Sequence, residues 1–428
     1  MEYIVMRHGK TRRSGAVKRG TVAGKGSTRS GPVLFGKAGA IGDLGIDFDI
    51  KLETVEKADL KDLKRDDTVS DFFPTIPLSL IAPTESSLVA PDAQALKVAK
   101  KAGSTWGVRA VKADTSSFTG KGVKVAVLDT GIDKNHVAFE GVTIEGENFL
   151  VSEKSKDRKN FHDEHGHGTH CAGTIFGRAV DGLRIGVAPG VEEVYIGKVI
   201  GPGSTTGTLM NAMNWAIENG VHVISMSLGF DFVQLRDDLL SEGHHPKEAT
   251  WVAMKALIDN VRYFDSFGIH VSEFGPAFAR NPLIVAASGN ESDREGKRFR
   301  GAAYEIGAAF PSAAKGFLSI AAVGESGTKS RPYVVADFSN SGAELAGPGV
   351  DILSAAANAE PNSLRLDSGT SMATPHVAGV AALWAEKFMK RGEVATKKVY
   401  DSLRESAVVF PGLEEGDVGR GIPQAPQK

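Results

Sequence analysis

The stretch Phe161–Gly173, FHDEHGHGTHCAG, gathers His162, His165, His167, His170 and Cys171, the chain's only cysteine. Imidazoles and a thiol are metal ligands. The histidines, however, follow one another at three, two and three residues. No pair has the four-residue spacing that sets two imidazoles on one helix face in H-E-x-x-H zinc sites, so the remaining metal reading is a mixed His/Cys set with Cys171. A different chemistry uses one imidazole at a time. Asp129 ends the apolar run VKVAVLD, His167 stands just ahead of a helix expected from about Thr169, and Ser371 opens the small-residue run SGTSMATPHVAG. A hydroxyl, a base to take its proton and a carboxylate to hold the base make an activated nucleophile. At a helix start Ser371 would also set backbone N–H groups and the positive dipole end beside a developing oxyanion. Singly, each residue has an ordinary explanation: a turn-forming Asp, a structural His beside glycine, and a helix-capping Ser.

The elements that must position these residues follow from periodicity. VKVAVLD, VYIGKVI, VHVISMSLG, PLIVAASGN and FLSIAAVG read as strands, and TLMNAMNWAIENG and TSMATPHVAGVAALWAEKF as helices. Continuous Val/Ile/Ala strands alternating with helices predict an α/β fold with a parallel sheet covered on both faces. Sites in such folds lie at strand ends and helix starts. Ahead of this, IDFDIKLETVEKADLKDLKRDDTVSDFFPTIPLSLI predicts a strand, a helix over Lys57–Lys64 and a strand ending near Ile81. EYIVMR is a further candidate strand, and together they make a small α+β unit. From Arg7 to Gly42 the chain is Gly-rich and basic without an acidic residue, and reads as a solvated loop.

A net charge of −2 gives no bulk attraction to nucleic acid. A single cysteine excludes an intramolecular disulfide framework. No run approaches the roughly 20 apolar residues of a membrane span. The expected setting is cytoplasmic, or secreted if a leader precedes this sequence.

The motifs VAVLDTGID, HGHGTHCAGT and SGTSMATPHVAGVAAL, in the order Asp, His, Ser, resemble the three signatures of the subtilisin-like serine proteases. The likeness runs from about Trp106 to Lys390 and includes IGVAPGVEEVYIGKVI, NAMNWAIENGVHVISMSLG and IVAASGNES. It implies a three-layer fold with a mainly parallel central sheet, and a serine endopeptidase acting on polypeptides through an acyl-enzyme, with no cofactor for the chemistry. It makes Ser371 the nucleophile, His167 the general base and acid, and Asp129 its partner, with Asn290 and the Ser371 N–H as oxyanion donors. It makes Ser227, Leu228 and Gly229, with Ala286, Ala287, Ser288 and Gly289, the walls of the pocket for the residue preceding the cut bond. His170 is expected behind His167, His165 on the cleft rim, and His162 without a role. HGTHCAG is similar to the proteinase K branch of the family, where the free cysteine lies near the catalytic histidine.

The segment GRAVDGLRIGVAPG resembles the region where many subtilases hold calcium, with Asp181 its one carboxylate and backbone carbonyls as the other donors. Residues 1–84 resemble a subtilase propeptide, with the basic loop at 7–42 and a linker at 85–103 carrying the processing site. This implies a proenzyme that its own N-terminal segment inhibits. A permanent accessory domain is the other reading of that unit. The catalytic domain then spans 104–428, with a helical insertion at about 230–281. Within it a helix over Lys247–Phe267 is expected, as an enlarged family helix carrying a surface loop; shaping the substrate cleft, contacting the N-terminal unit and making an oligomer interface are the other readings. YIVMRHGKT resembles the strand and Arg-His-Gly that begin histidine phosphatases, but the Gly-rich basic chain after it places His8 in a solvated loop. The rival to an enzyme is a catalytically silent peptide-binding homologue. The sequence does not name the substrate or the oligomeric state.

Overall fold

The structure, a computed structural model, describes residues 1–8, 48–56, 59–81, 93–273, 281–298, 301–393 and 395–428. In the N-terminal unit β1 (Glu2–His8), β2 (Phe48–Thr54) and β3 (Val69–Pro74) form an antiparallel sheet in the order β2-β1-β3, with the single-turn helix α1 (Leu60–Leu63) between β2 and β3. The helix is shorter than the run Lys57–Lys64 suggested. His8 belongs to β1, opposite Phe48, rather than to a loop, and Arg7 is ion-paired to Glu53. The rest of the basic Gly-rich segment lies outside the described residues. β4 (Leu78–Leu80) then leaves the unit.

The sequence from 85 to 103 was expected as a linker, yet Ala93–Ala102 is a helix, α2, with Lys100 and Lys101 in its last turn where the dipole favours cations. Residues 82–92 lie outside the described residues. After α3 (Trp106–Ala110) come β5 (Lys124–Asp129), β6 (Thr143–Asn148), α4 (His167–Phe176), β7 (Glu193–Lys198), α5 (Thr206–Glu218), β8 (Val223–Met226) and β9 (Leu228–Phe230). The helices α6 (Phe232–Ser241) and α7 (Pro246–Glu273) follow, and then β10 (Leu283–Ala287), β11 (Phe317–Glu325), β12 (Tyr333–Val335) and β13 (Leu345–Pro348). The hairpin β14 (Ile352–Ala355) and β15 (Leu364–Asp367) leads into α8 (Thr370–Lys390), α9 (Thr396–Ser406) and α10 (Glu415–Val418).

The main sheet has the order β12-β11-β10-β8-β5-β7-β6, with β13 beside β11, and all its pairings are parallel except β11 with β12. Alternate side chains of each central strand serve opposite cores. Val125 and Val127 of β5 and Val285 of β10 join Ile175 of α4 and Val377 and Val380 of α8. Ala126, Leu128, Ile284 and Ala286 join Leu209 and Met213 of α5 and Phe264 of α7. The result is three layers, helices on both faces of one sheet, as the continuous apolar strands predicted.

The second core extends into the N-terminal unit. Ile4, Leu52 and Phe73 pack in the same cluster as Leu209, Met210 and Phe264. Gly207 is required there, because a Cβ on it would lie 2.3 Å from the Leu52 side chain. The N-terminal sheet therefore rests on α5 and α7.

The insertion differs from the expected enlarged helix with a surface loop. It is a pair of packed helices, α6 capped by Asp231 Oδ1 accepting from Gln234 N, and the 28-residue α7. Its α7 meets the N-terminal unit directly, with Asn260 Nδ2 donating to Pro74 O at 2.9 Å and the Tyr263 ring 5.9 Å from that of Phe73.

Candidate active site

Asp129 is the last residue of β5, and His167 and Ser371 lie in the first turns of α4 and α8. All three are buried. His167 Nδ1 bonds Asp129 Oδ1 at 2.7 Å, and Thr130 N donates to the same oxygen at 2.7 Å. Burial pushes the imidazole pKa down, but the adjacent Asp129 carboxylate together with Cys171 outweighs it and holds His167 well above its ordinary 6.5. On the ring's other side, Nε2 is buried without a hydrogen-bond partner among the described residues. The Ser371 hydroxyl is turned away from it and donates to the carbonyl of Ile81 at 2.7 Å.

That carbonyl arrives on an extended segment. β4 pairs antiparallel with β9, with Leu78 opposite Phe230, Ser79 opposite Gly229 and Leu80 opposite Leu228. Ile81 N donates to Ser227 O at 3.3 Å, and on the other edge Leu78 N donates to Ser204 O at 3.1 Å. The chain's own residues 78–81 thus form a middle strand between residues 227–230 and residue 204. A Cβ on Gly229 would stand 3.8 Å from Ile81 Cγ1 and from Ser79 Oγ, ordinary van der Waals contact, so the seated strand lies directly against this residue without requiring glycine. Ser227 and Leu228 line this strand. Ala286 and Ala287 are buried in β10, with Ala286 in the apolar cluster that takes Leu78 and Leu228.

Beyond β10, Gly289 has φ +111°, and a Cβ would meet Asn340 Nδ2 at 2.3 Å. Gly289 N bonds Thr370 Oγ1, while Ser288 is fully buried. The next residue, Asn290, accepts at Oδ1 from both the N and the Oγ1 of Thr370, each at 2.9 Å, which fixes its amide plane. A Cβ on Gly369 would lie 3.0 Å from Asn290 Nδ2 and 3.6 Å from Ser371 N. These two donors therefore face one small space at the positive end of the 21-residue helix α8.

The histidine cluster divides as expected in part. His170 is buried with Nε2 on Ile352 O at 2.8 Å, and burial lowers its pKa to about 4. His165 is exposed with its ring 6.2 Å from that of His167, and His162 is exposed beside Asn358. Cys171 is buried, its Sγ 3.8 Å from His167 Nδ1 and 3.4 Å from Ser371 O. Burial raises the thiol pKa. Asp129, His167 and Cys171 are within ligating distance of one another, but Nδ1 already serves Asp129.

Sequence reading passed over Asp163. Its fully buried carboxylate accepts five bonds, from Thr130 Oγ1, His165 N, Gly166 N, Thr169 N and Thr169 Oγ1, at 2.7–3.1 Å. Burial alone would raise its pKa, and these donors bring it below the usual carboxylate value. It ties the turn before α4 to β5, so it positions His167 relative to Asp129. An acidic residue just ahead of a helix start was the available signal.

For the calcium expected at Asp181, the side chain offers a single carboxylate. The carboxylate is exposed and paired with Lys100 at 3.4 Å, and Arg178 lines the same surface hollow. A hard dication takes six or more oxygens. Among the described residues no second set of three or more ligating side chains exists besides Asp129, His167 and Cys171. The expected set would then rest on backbone carbonyls.

Residues 120–415 match the model of the subtilase family. The chain belongs to that family. The major intracellular serine protease of Bacillus subtilis (strain 168) is 32% identical over 285 residues, covering 65% of this chain and 73% of that protein. Subtilisin DY of Bacillus licheniformis is 32% identical over 291 residues, 66% of this chain and 85% of its own length. The intracellular serine protease of Paenibacillus polymyxa is 33% identical over 267 residues, 62% of this chain and 67% of that protein. This subtilase is a serine-type endopeptidase that acts on polypeptides, and the family needs no cofactor for its chemistry. The matched span holds Asp129, His167, Asn290 and Ser371 as well as α6 and α7, whereas the N-terminal unit precedes it. Among the described residues no helix of this subtilase is long and apolar enough to cross a membrane.

Proposed function

We propose that Ser371 is the nucleophile of this endopeptidase, with His167 as general base and Asp129 as its orienting partner. We propose further that the chain is made as a proenzyme and cuts itself after Ile81. The observation that supports both is the Ser371 hydroxyl on the Ile81 carbonyl at 2.7 Å, at the end of a strand seated against β9. The cut then falls ahead of the run 85–103 rather than inside it.

For attack, the Ser371 O–H turns from Ile81 O to His167 Nε2, and an Oγ lone pair adds to the Ile81 carbonyl carbon. The proton passes to Nε2, and the imidazolium formed is stabilised by Asp129 through Nδ1. The carbonyl oxygen becomes an oxyanion that Asn290 Nδ2 and Ser371 N receive. Collapse returns the proton from Nε2 to the leaving amine. Water repeats the sequence on the acyl-enzyme. In the uncut chain the seated strand fills the cleft, which makes the N-terminal unit an intramolecular inhibitor. Polypeptide substrates take the same middle-strand place.

N-terminal sequencing of the purified chain beside Ser371→Ala tests this. The expected result is a new terminus at Ala82 in the wild type only, and one shared full-length terminus refutes self-processing. A fluorophosphonate labels Ser371 in the processed protein and fails on Ser371→Ala. No label on the processed protein returns the site to a peptide-binding homologue.

A further inference from the structure

The paired helices α6 and α7 enclose a pocket that holds one side chain of the N-terminal segment. Ile76 is fully buried there, in a cluster with Leu235 and Leu239 of α6 and Ala249, Ala253 and Ala256 of α7. Leu235 and Leu239 are four residues apart, and the three alanines follow at four and three, so each set lies on one helix face. Alanine on the α7 face leaves between the helices a hollow the size of a branched aliphatic side chain, which Ile76 fills. Ile76 lies five residues before Ile81.

The register between this pocket and Ser371 is fixed by backbone bonds. Ile76 N donates to Thr206 Oγ1 at 3.1 Å and Thr206 N to Ile76 O at 2.8 Å, which ties the segment to the start of α5. Asp231 N donates to Pro77 O at 2.9 Å, and Asp231 is the residue that joins β9 to α6. The strand that reads residues 78–80 therefore runs directly into the helix that walls the pocket. Asn260, fully buried on α7, reaches one step further with Nδ2 on Pro74 O.

We infer that the α6–α7 pair is a distal substrate subsite, its Leu235/Leu239/Ala249/Ala253/Ala256 pocket selecting polypeptides that carry a branched aliphatic side chain five residues before the cleaved bond's acyl residue. This rests on the reading that the bond after Ile81 is the one cut. Ile76 marks the place that substrates take once the N-terminal unit has left. Main-chain pairing with β9 accepts any sequence, since it uses only N–H and C=O groups. The pocket adds a side-chain requirement, and the alanines define its depth.

The experiment uses the enzyme isolated after its own processing and three peptides. One carries residues 75–84, TIPLSLIAPT; the second carries Ile76→Ser and keeps Ile81; the third begins at the leucine that corresponds to Leu78. Hydrophobic subsites of this size discriminate by roughly tenfold or more, so kcat/KM is expected to be about ten times higher or more for the first peptide than for the second. Ala253→Leu fills the hollow and is expected to bring that ratio close to one. A wild-type ratio within twofold of one overturns the inference, even if Ala253→Leu fails to fold. So does a ratio that Ala253→Leu leaves unchanged. Cleavage of the third peptide without discrimination between the first two removes the pocket alone, whereas cleavage of none removes the proposed site together with it.

Discussion

The hydroxyl of Ser371 bonds the carbonyl of Ile81 across 290 residues of sequence, while His167 Nε2, the atom that would take its proton, is buried with no hydrogen-bond partner among the described residues. The Asp129–His167 bond is already made in this occupied state. Only the last proton-accepting contact remains to form.

The pH profile follows from that bond. The proposed base works neutral, so activity is expected to fall as pH falls through the His167 pKa, which Asp129 together with Cys171 holds above 6.5 against burial. The acid limb of kcat, which reports the base with the cleft occupied, is expected above pH 6.5. Asp129→Asn removes the charge that stabilises the imidazolium. Its residual activity, lower by about 10⁴, is expected to show an acid limb at lower pH. An unmoved limb would contradict the coupling.

Asn290→Ala removes a donor pinned by Thr370. If Asn290 receives the oxyanion as proposed, its target is charged only in the transition state, so turnover is expected to fall while KM stays near its starting value. The expected loss in kcat is about 10²–10³, the range known for the corresponding donor of subtilisin itself. Steady-state kinetics on one peptide measures both parameters.

Asp163→Ala strands five donors in a buried place. Each unsatisfied buried group costs about 1–3 kcal/mol, and relaxation recovers part of the sum, so a loss of at least about 3 kcal/mol is expected. Denaturant midpoints measured on the Ser371→Ala background, where no self-digestion occurs, give the value. A change below 1 kcal/mol, as at an ordinary surface site, would remove Asp163 from its positioning role.

Three buried histidines make the fold acid-sensitive. Burial lowers His170, His222 and His376 to about 4 each. Above 6.5 they are neutral in both folded and unfolded chains and their contribution is complete. Between 6.5 and 4 the unfolded chain binds protons that the folded one refuses, so stability falls with pH by up to about 1.4 kcal/mol per unit for each. His222→Gln keeps an acceptor for Lys124 N, which His222 Nδ1 now receives at 2.8 Å. It is expected to flatten the slope by up to that amount in denaturation series at pH 4–6.5. An unchanged slope would show that His222 protonates freely in the fold.

The sequence alone determined the three layers and the residues at their strand ends. β5, β8 and β10 are continuous apolar runs because both faces are covered, and that pattern is local. Asp129, His167, Asn290 and Ser371 were legible because each sits in a long motif of neighbouring residues. Asp163 lay inside a quoted stretch and was missed. Four of its five donors lie within six residues, so the acidic residue ahead of a helix start was a readable local signal, and only the bond from Thr130, 33 residues away, left no mark in spacing. A ligand set is likewise a property of space, and the pairing of Asp181 with Lys100 was not legible in the sequence.

Only tertiary structure decided what the N-terminal segment and the insertion do. The resemblance to the subtilases marked residues 230–281 as extra chain, and periodicity marked one helix there. That α6 and α7 close on Ile76, and that Ile81 reaches Ser371, depends on β4 pairing with β9 in one register. The bonds that hold this register are between backbone groups, which every residue carries alike, so the side-chain sequence does not specify them by itself. The packed cores on α5 and α7 bring the strand to its place, and with it the carbonyl that meets Ser371.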